Sequence, residues 1–426
     1  MDTISPRNQI ARNPRVAASA NGDKIVVWQQ SDGVHEQIFK AEYRNRTWLV
    51  PASLADNISP DGQDAVGPTV AMDPNGDAVI AWQQSDGTSG QIFKSEYRGG
   101  SWSHPASLAD NVSPDGTWAS NPRVAMGQQG QTVIVWRQND SSNHQQIFFS
   151  QYMNSVWMHP TGLSDHISPG ATFVNAASVV SDDVGNFIVV WNQDVSAYSG
   201  VFVSEFRNGT WVHPTSLGSF ISLASSESRY PFVAADRFGN AVIAWMQQTA
   251  SIWMILKAEY NPTNGWTYPV SFADRLNAGI GDCDEPRVAA DGLGGFVATW
   301  TQRDTTGQWA NCLRERRGGS WIPPQNFFNP PGPGVGAGEV TSDGLGNYVF
   351  AWNQPDSSSI YRVYMSECRH GVWNHPTTLA NAMGFPGSLA SVSQRGIAGA
   401  TDGTFLISWQ QVVPPGIRTI FVAHYF

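Results

Sequence analysis

One tryptophan recurs along the whole chain at an almost constant interval, and that interval limits what the chain can fold into. It stands at Trp28, Trp82, Trp136, Trp191, Trp245, Trp300, Trp352 and Trp409, with successive gaps of 54, 54, 55, 54, 55, 52 and 57 residues. Each closes an apolar run: IVVW, VIAW, VIVW, IVVW, VIAW, VATW, VFAW and LISW. Self-similarity at a fixed period marks a repeat architecture, in which one unit cannot bury its own apolar faces and neighbours do so by stacking. A length of 426 residues by itself suggests two or three domains. The repeat replaces that expectation with a single domain over residues 1–426, in units near 13–66, 67–120, 121–174, 175–229, 230–284, 285–337, 338–394 and 395–426.

Within a unit, four strand-like segments follow one another. In residues 68–108 they are PTVAMD, AVIAWQQ, QIFKSEYR and SWSHPASL. The first two are joined at Asn75-Gly76 and the last two at Gly99-Gly100. Such pairs accept the positive φ that tight hairpin turns require. Short strands with Gly-rich turns and no helical period predict an antiparallel meander, and radial stacking of meanders predicts a β-propeller. The segments VAMDPNGDAVIAW and VAADRFGNAVIAW resemble the first hairpin of bacterial β-propeller repeats, and GSWSHPASL resembles their outer strand. The Gly-His and Trp-Asp pairs of WD40 repeats are absent, and the spacing from Gly76 to Trp82 differs from the Asp-box of sialidase-like propellers. The resemblance implies architecture and no substrate.

A second tryptophan marks the outer strand at Trp48, Trp102, Trp157, Trp211, Trp266, Trp321 and Trp373, seven copies against eight. The eighth unit reaches TIFVAHYF without a fourth strand, and MDTISP at the start matches ADNISP at 55–60, which follows a fourth strand. The expectation is an all-β propeller of eight blades of four-stranded antiparallel meanders, the last blade three-stranded, with seven full blades plus a partial unit as the alternative. A three-stranded last blade leaves an open edge near Phe426, a template for self-association.

Composition narrows the function classes. The net charge is −10 and no basic cluster offsets it, which argues against nucleic-acid partners. No apolar run reaches the roughly 18–20 residues that cross a bilayer, so membrane insertion is not expected. Charged residues make up only 14%, so Ser, Thr, Asn, Gln and Gly carry the polar surface. That balance favours a secreted, periplasmic or surface setting, although Met1 to Gln9 lacks the pattern of a signal peptide. Cys283, Cys312 and Cys368 show no metal-binding spacing. They read as buried thiols, with a Cys283–Cys312 bridge left open. No metal and no cofactor is expected.

Several recurrent polar positions invite a chemical reading. Gln30, Gln84, Gln138, Gln193, Gln247, Gln302, Gln354 and Gln411 each follow a repeat tryptophan by two residues. An amide beside an indole suits a sugar, but a position kept in every blade more naturally serves packing. Glu42, Glu96, Glu205, Glu259, Glu315 and Glu367 lie in the third strand, most with Arg two residues on, and read as ion pairs. His104, His159, His213 and His375 are replaced in other blades by Val50, Tyr268 and Pro323, which marks a packing position.

The loops between second and third strands vary most. With the ADNISPDG-type loops they should share one face, where Asp32, His35, Asp86, Tyr198, Trp253, Trp309 and Tyr361, together with Trp118, are the candidate ligand-binding residues. Only Trp118, Trp253 and Trp309 of the eighteen tryptophans fall outside the two repeat series. The expected function is a non-catalytic binding or scaffolding propeller whose partner is a protein or a glycan. One alternative is a hydrolase or lyase at a central channel, with an asymmetric site near Arg314, Glu315 and Arg316. Another is a structural segment of a larger surface protein. No residue is assigned a catalytic role.

Overall fold

The computed structural model describes residues 2–279, 281–326, 334–336, 338–383, 396–413 and 416–425. The chain is an all-β propeller of eight antiparallel blades, and the alternative of seven blades plus a fragment falls away. It divides into two compact units. Met1–Phe173 with Ser393–Phe426 holds blades 1–3 and 8, and Val174–Val392 holds blades 4–7. Among the described residues the only helical segments are the short 3-10 turns Phe272–Asp274 and Leu379–Asn381.

Blade 1 shows the pattern. Its strands β2 (Ala11–Ala18), β3 (Lys24–Ser31), β4 (Glu36–Arg44) and β5 (Thr47–Leu49) pair in chain order. Because β3 is covered on both faces, its residues are apolar without alternation, as expected of a central strand between two packed layers. Ile25 and Val27 pack with Trp82 of blade 2, while Val26 and Trp28 pack with Leu406, Ile420 and Val422 of blade 8. Other clusters repeat the scheme: Trp136 meets Val79 and Ala81, Trp245 meets Ile188 and Val190, and Trp300 meets Val242 and Ala244. In these blades the repeat tryptophan thus fills the wedge between its own blade and the preceding one. An indole buries up to ~250 Å², worth about 4–6 kcal/mol of transfer free energy.

The eighth blade corrects an expectation. It has four strands: Gly396–Gly399, Phe405–Val413, Ile417–Tyr425 and, as its outermost member, β1 (Asp2–Thr3) from the other end of the chain. Asp2 pairs with Val422 and Thr3 with Phe421. Next to them, Ile4 N donates to Ile420 O at 3.2 Å and Ile420 N donates to the Ser5 hydroxyl at 3.0 Å. The same latch closes other blades: Ile58 N reaches Ile38 O at 2.8 Å and Ile38 N reaches the Ser59 hydroxyl at 2.9 Å. Ile4 and Ser5 of MDTISP therefore make the contact that Ile58 with Ser59, and Ile167 with Ser168, make with the third strand before them. The short β1 supplies the fourth strand against Phe421 and Val422, nearer the start of the third strand than the tryptophan strand of blade 1, which lies against Glu42–Arg44. The edge expected to be open is occupied at Phe421 and Val422, and Phe426 itself lies outside the described residues.

Two outcomes follow. Removing residues 2–5 should lower the urea midpoint of unfolding and produce concentration-dependent association through the uncovered edge, read by light scattering. Gln84→Leu strands Trp82 Nε1 and the Pro60 carbonyl that its amide joins, and should cost about 1–3 kcal/mol in chemical denaturation.

Candidate functional site

The recurrent Trp-x-Gln pair lies inside the protein. All eight repeat tryptophans are at most 2% exposed. In each, the indole Nε1 donates to the glutamine Oε1, from 2.9 Å at Trp28–Gln30, Trp136–Gln138 and Trp245–Gln247 to 3.3 Å at Trp352–Gln354. The series continues at Trp82–Gln84, Trp191–Gln193, Trp300–Gln302 and Trp409–Gln411. The glutamine Nε2 then donates to carbonyls of the loop entering the blade, such as Pro60 O at 2.6 Å from Gln84 and Ala278 O at 2.6 Å from Gln302. Indole and amide satisfy one another, and no sugar reaches either.

The third-strand glutamates form a belt between blades. Glu42 accepts from Lys40, from Arg44 at 2.8 Å and from the Trp102 indole of the next blade at 2.7 Å. Glu96 with Trp157 and Glu259 with Trp321 repeat this. Burial alone would push the Glu42 carboxyl up, but the hydrogen bonds from Lys40, Arg44 and Trp102 outweigh it and hold it below the usual range. Arg314, Glu315 and Arg316 belong to this belt on a third strand. Glu315 accepts from Trp373 at 2.8 Å and pairs with Arg317, Arg316 pairs with Glu259, and Arg314 donates to the Ile322 carbonyl. They do not gather at an inner-strand site, and most of the nearby FFNPPGPGVG stretch lies outside the described residues.

The histidines stack on the outer indoles. His104 lies parallel to Trp102 at 5.5 Å, and its Nδ1 meets the Ser95 hydroxyl at 2.9 Å; His159, Trp157 and Ser150 repeat the arrangement. Tyr268 takes the same place on Trp266. Among the described residues no group of three or more His, Cys, Asp or Glu is placed to hold a metal, and Cys283, Cys312 and Cys368 are free and buried.

The variable loops share one end of each blade with the loops that enter the next blade. Asp32 and Asp86 are turn caps, their Oδ1 atoms accepting from the backbone of Val34 and His35 and of Thr88 and Ser89. His35 Nδ1 stands 3.5 Å from the Asp64 carboxylate. Trp118 is 55% exposed, its ring lying on the backbone of Gly90, where an added Cβ would meet it at 2.9 Å. Trp309 is half-buried beneath Arg303, and Tyr361 is half-exposed.

Tyr198 lines, and Trp253 lies beside, an arrangement that gathers several kinds of group. An open cleft of about 840 Å³ lies across blades 4 and 5. Its walls include Tyr198, Phe272, Glu227, Arg229, Ser226 and Thr249. The Tyr198 ring rests edge-on against Phe220 at 6.0 Å. Glu227 accepts from Ser199 N at 2.9 Å and from Arg229 Nε at 3.3 Å, and the Arg229 guanidinium lies 5.0 Å from the centre of the Trp253 ring. Partial desolvation, and then the neighbouring Glu227 carboxylate, push the Asp194 carboxyl up.

Glu227, Arg229, Asp194 and Phe272 were not singled out from sequence. The available signal was a departure from the repeat: where blade 2 enters with ISPDGQDA, blade 5 enters with ISLASSES, so Pro60, Asp61 and Gly62 give way to Leu223, Ala224 and Ser225.

Fold and cleft together define an eight-bladed β-propeller with a polar, aromatic-flanked cleft on its loop end. No protein-family model matches the sequence, and neither does any curated protein. Solved structures do match. An ulvan lyase of a new polysaccharide lyase family is similar at TM-score 0.50 and 11% identity, covering 99% of this chain and 94% of that one. The same enzyme bound to a sulfated glucuronate–rhamnose ligand matches at TM-score 0.50 and 11% identity, over 82% and 90%. A lectin from Burkholderia pseudomallei is similar at TM-score 0.49 and 16% identity, over 87% and 99%. At these identities the likeness describes the propeller fold alone.

Desolvation against the indole, with Lys40 and Lys94 nearby, lowers His104 and His159 to about 4 from 6.5. The unfolded chain therefore binds more protons between those values, so stability held above pH 6.5 is lost as pH falls toward 4. The double variant His104→Tyr, His159→Tyr should show a flatter urea midpoint across that window.

Proposed function

We propose that this propeller is a non-catalytic binding protein whose ligand is a glycan, held in the cleft between Tyr198 and Phe272. The observation that carries the reading is the combination of groups there. Partly exposed aromatic faces suit the apolar C–H faces of a sugar, and the Ser226 and Thr249 hydroxyls with the Glu227–Arg229 pair supply directional partners for its hydroxyls. The fifteen repeat tryptophans take part in packing or in the belt, so the aromatic recognition surface is confined to the few loop residues. A glycan-array screen of the folded protein tests the reading. A hit is expected, and Tyr198→Ala should remove it while leaving the melting temperature within a degree or so of wild type. A blank array with folded protein transfers the reading to a protein partner, sought by pull-down.

One observation favours a glycan-active enzyme instead. Asp194 is raised by desolvation and by Glu227, and two carboxylates in different environments are what acid–base cleavage of a glycosidic bond employs. A panel of glycosides and uronate-containing polysaccharides decides the matter. Turnover abolished by Glu227→Gln would replace binding with catalysis, whereas binding without turnover sustains the lectin-like reading.

A further inference from the structure

Trp118 departs from what other blades do at its position. At the entries to blades 2, 5 and 6, Asp64, Glu227 and Asp282 turn a carboxylate onto the strand behind them. Each accepts the first backbone N–H of that third strand at 2.9 Å, from Glu36, Ser199 and Trp253. Blade 3 places Trp118 there, its entry reading VSPDGTWA against ISPDGQDA in blade 2. An indole has no acceptor for that N–H. The entry forgoes the cap and gains a ring; the entry to blade 4 makes the same exchange with Phe173, also half-exposed.

The strand beneath the ring differs as well. Blade 1 begins its third strand with Glu36, and blade 2 begins its third strand with Gly90. A Cβ on Gly90 would stand 2.9, 3.0 and 3.1 Å from Cε2, Cδ2 and Cζ2 of Trp118, three consecutive atoms of the six-membered ring. Near-equal distances to these atoms put Gly90 under the face of the ring and not at its edge. The indole therefore lies flat on the strand, and with Trp118 55% exposed its other face is open. The backbone that carries it is clamped. Thr117 Oγ1 donates to Asn139 O at 2.6 Å, and Thr117 O accepts from Gln91 Nε2 and Gln138 Nε2, each at 3.4 Å. Gln91 Nε2 also donates to the Ser89 hydroxyl at 2.8 Å, and Asn139 N donates to Trp118 O at 3.4 Å.

The two loops joined to Trp118 in this way carry neutral hydrogen-bonding groups, Ser89 in one and Asn139 and Asn143 in the other. Their carboxylates, Asp86 and Asp140, turn Oδ1 onto their own loops, accepting from Thr88 and Ser89 and from Ser142 and His144. We propose that Trp118 is a stacking platform for one pyranose residue of a glycan, on blades 2 and 3 and separate from the cleft of blades 4 and 5. The apolar C–H face of the sugar lies on the open face of the indole, and its hydroxyls meet the amides and hydroxyls of the two loops. A single flat ring rimmed by neutral polar groups matches a pyranose, whereas a protein partner needs a far larger contact area.

Nuclear magnetic resonance tests this through the Trp118 indole N–H, identified as the resonance that Trp118→Phe removes. Titration with the methyl pyranosides of glucose, galactose and mannose, up to about 100 mM, should shift that resonance saturably with at least one of them. Trp118→Asp installs the residue type that blade 2 uses at this place, so the protein should stay folded while binding of that sugar weakens about tenfold or more, read by saturation-transfer difference. Gly90→Val puts a branched Cβ beneath the ring, lifts it from the strand and should weaken binding as well. Tyr198→Ala should leave the titration unchanged, so the platform and the glycan cleft succeed or fail separately. The proposal is overturned by the absence of a saturable shift with all three sugars, or by equal affinity in wild type and Trp118→Asp. A shift produced by tetramethylammonium alone also overturns it, because the ring would then be a cation site.

Discussion

A single buried hydrogen bond, the donation of each repeat indole to the glutamine two residues later, organises the propeller. The indole supplies the bulk that fills the wedge between blades, yet it brings an N–H that burial would leave without water. The glutamine accepts that N–H and spends its own donors on the carbonyls of the incoming loop, as Gln84 does on Pro60 and Gln63. One side chain therefore joins the blade core to the loop that positions the next set of hydrogen bonds. Polar residues at buried positions are tolerated only when they are satisfied in this way.

Around that core, two further layers repeat with less fidelity. The outer belt links blades through Glu42 to Trp102 and Glu96 to Trp157, with Lys40 and Lys94 over the same indoles. The loop ends repeat least. Irregularity changes what the blades present: blade 5 loses the Pro-Asp-Gly of its entry loop and gains the Glu227–Arg229 pair, and blade 2 carries Gly67 in the inner-strand bulge where blades 1 and 3 carry asparagine, beside a cavity. Eight like blades make a scaffold, and the deviations from likeness give its loop end distinct clefts.

The spacing of the tryptophans and the hairpin glycines made the blades legible, because strand burial on both faces and tight turns each leave a local mark. Closure was half legible. MDTISP matched the ADNISP that enters blade 2, but pairing of Asp2 and Thr3 with Val422 and Phe421 is a contact across more than four hundred residues, and two residues carry too short a pattern to announce a strand. The candidate residues were legible only in part. Tyr198 and Trp253 stood out as aromatic loop residues, and that Asp32 and Asp86 also cap their own turns is a contact the Asp-Gly letters alone do not announce. Glu227 and Arg229 were invisible because a carboxylate gains meaning from what lies beside it.

By itself the sequence determined the number of blades, the order of strands within them and the residues that fill them, since these depend on periodicity and on interactions between neighbours in the chain. Only the tertiary structure decided how the last blade is completed, which polar groups converge in a cleft and where a missing side chain leaves room. Those depend on distances between segments far apart in sequence, which no local pattern encodes.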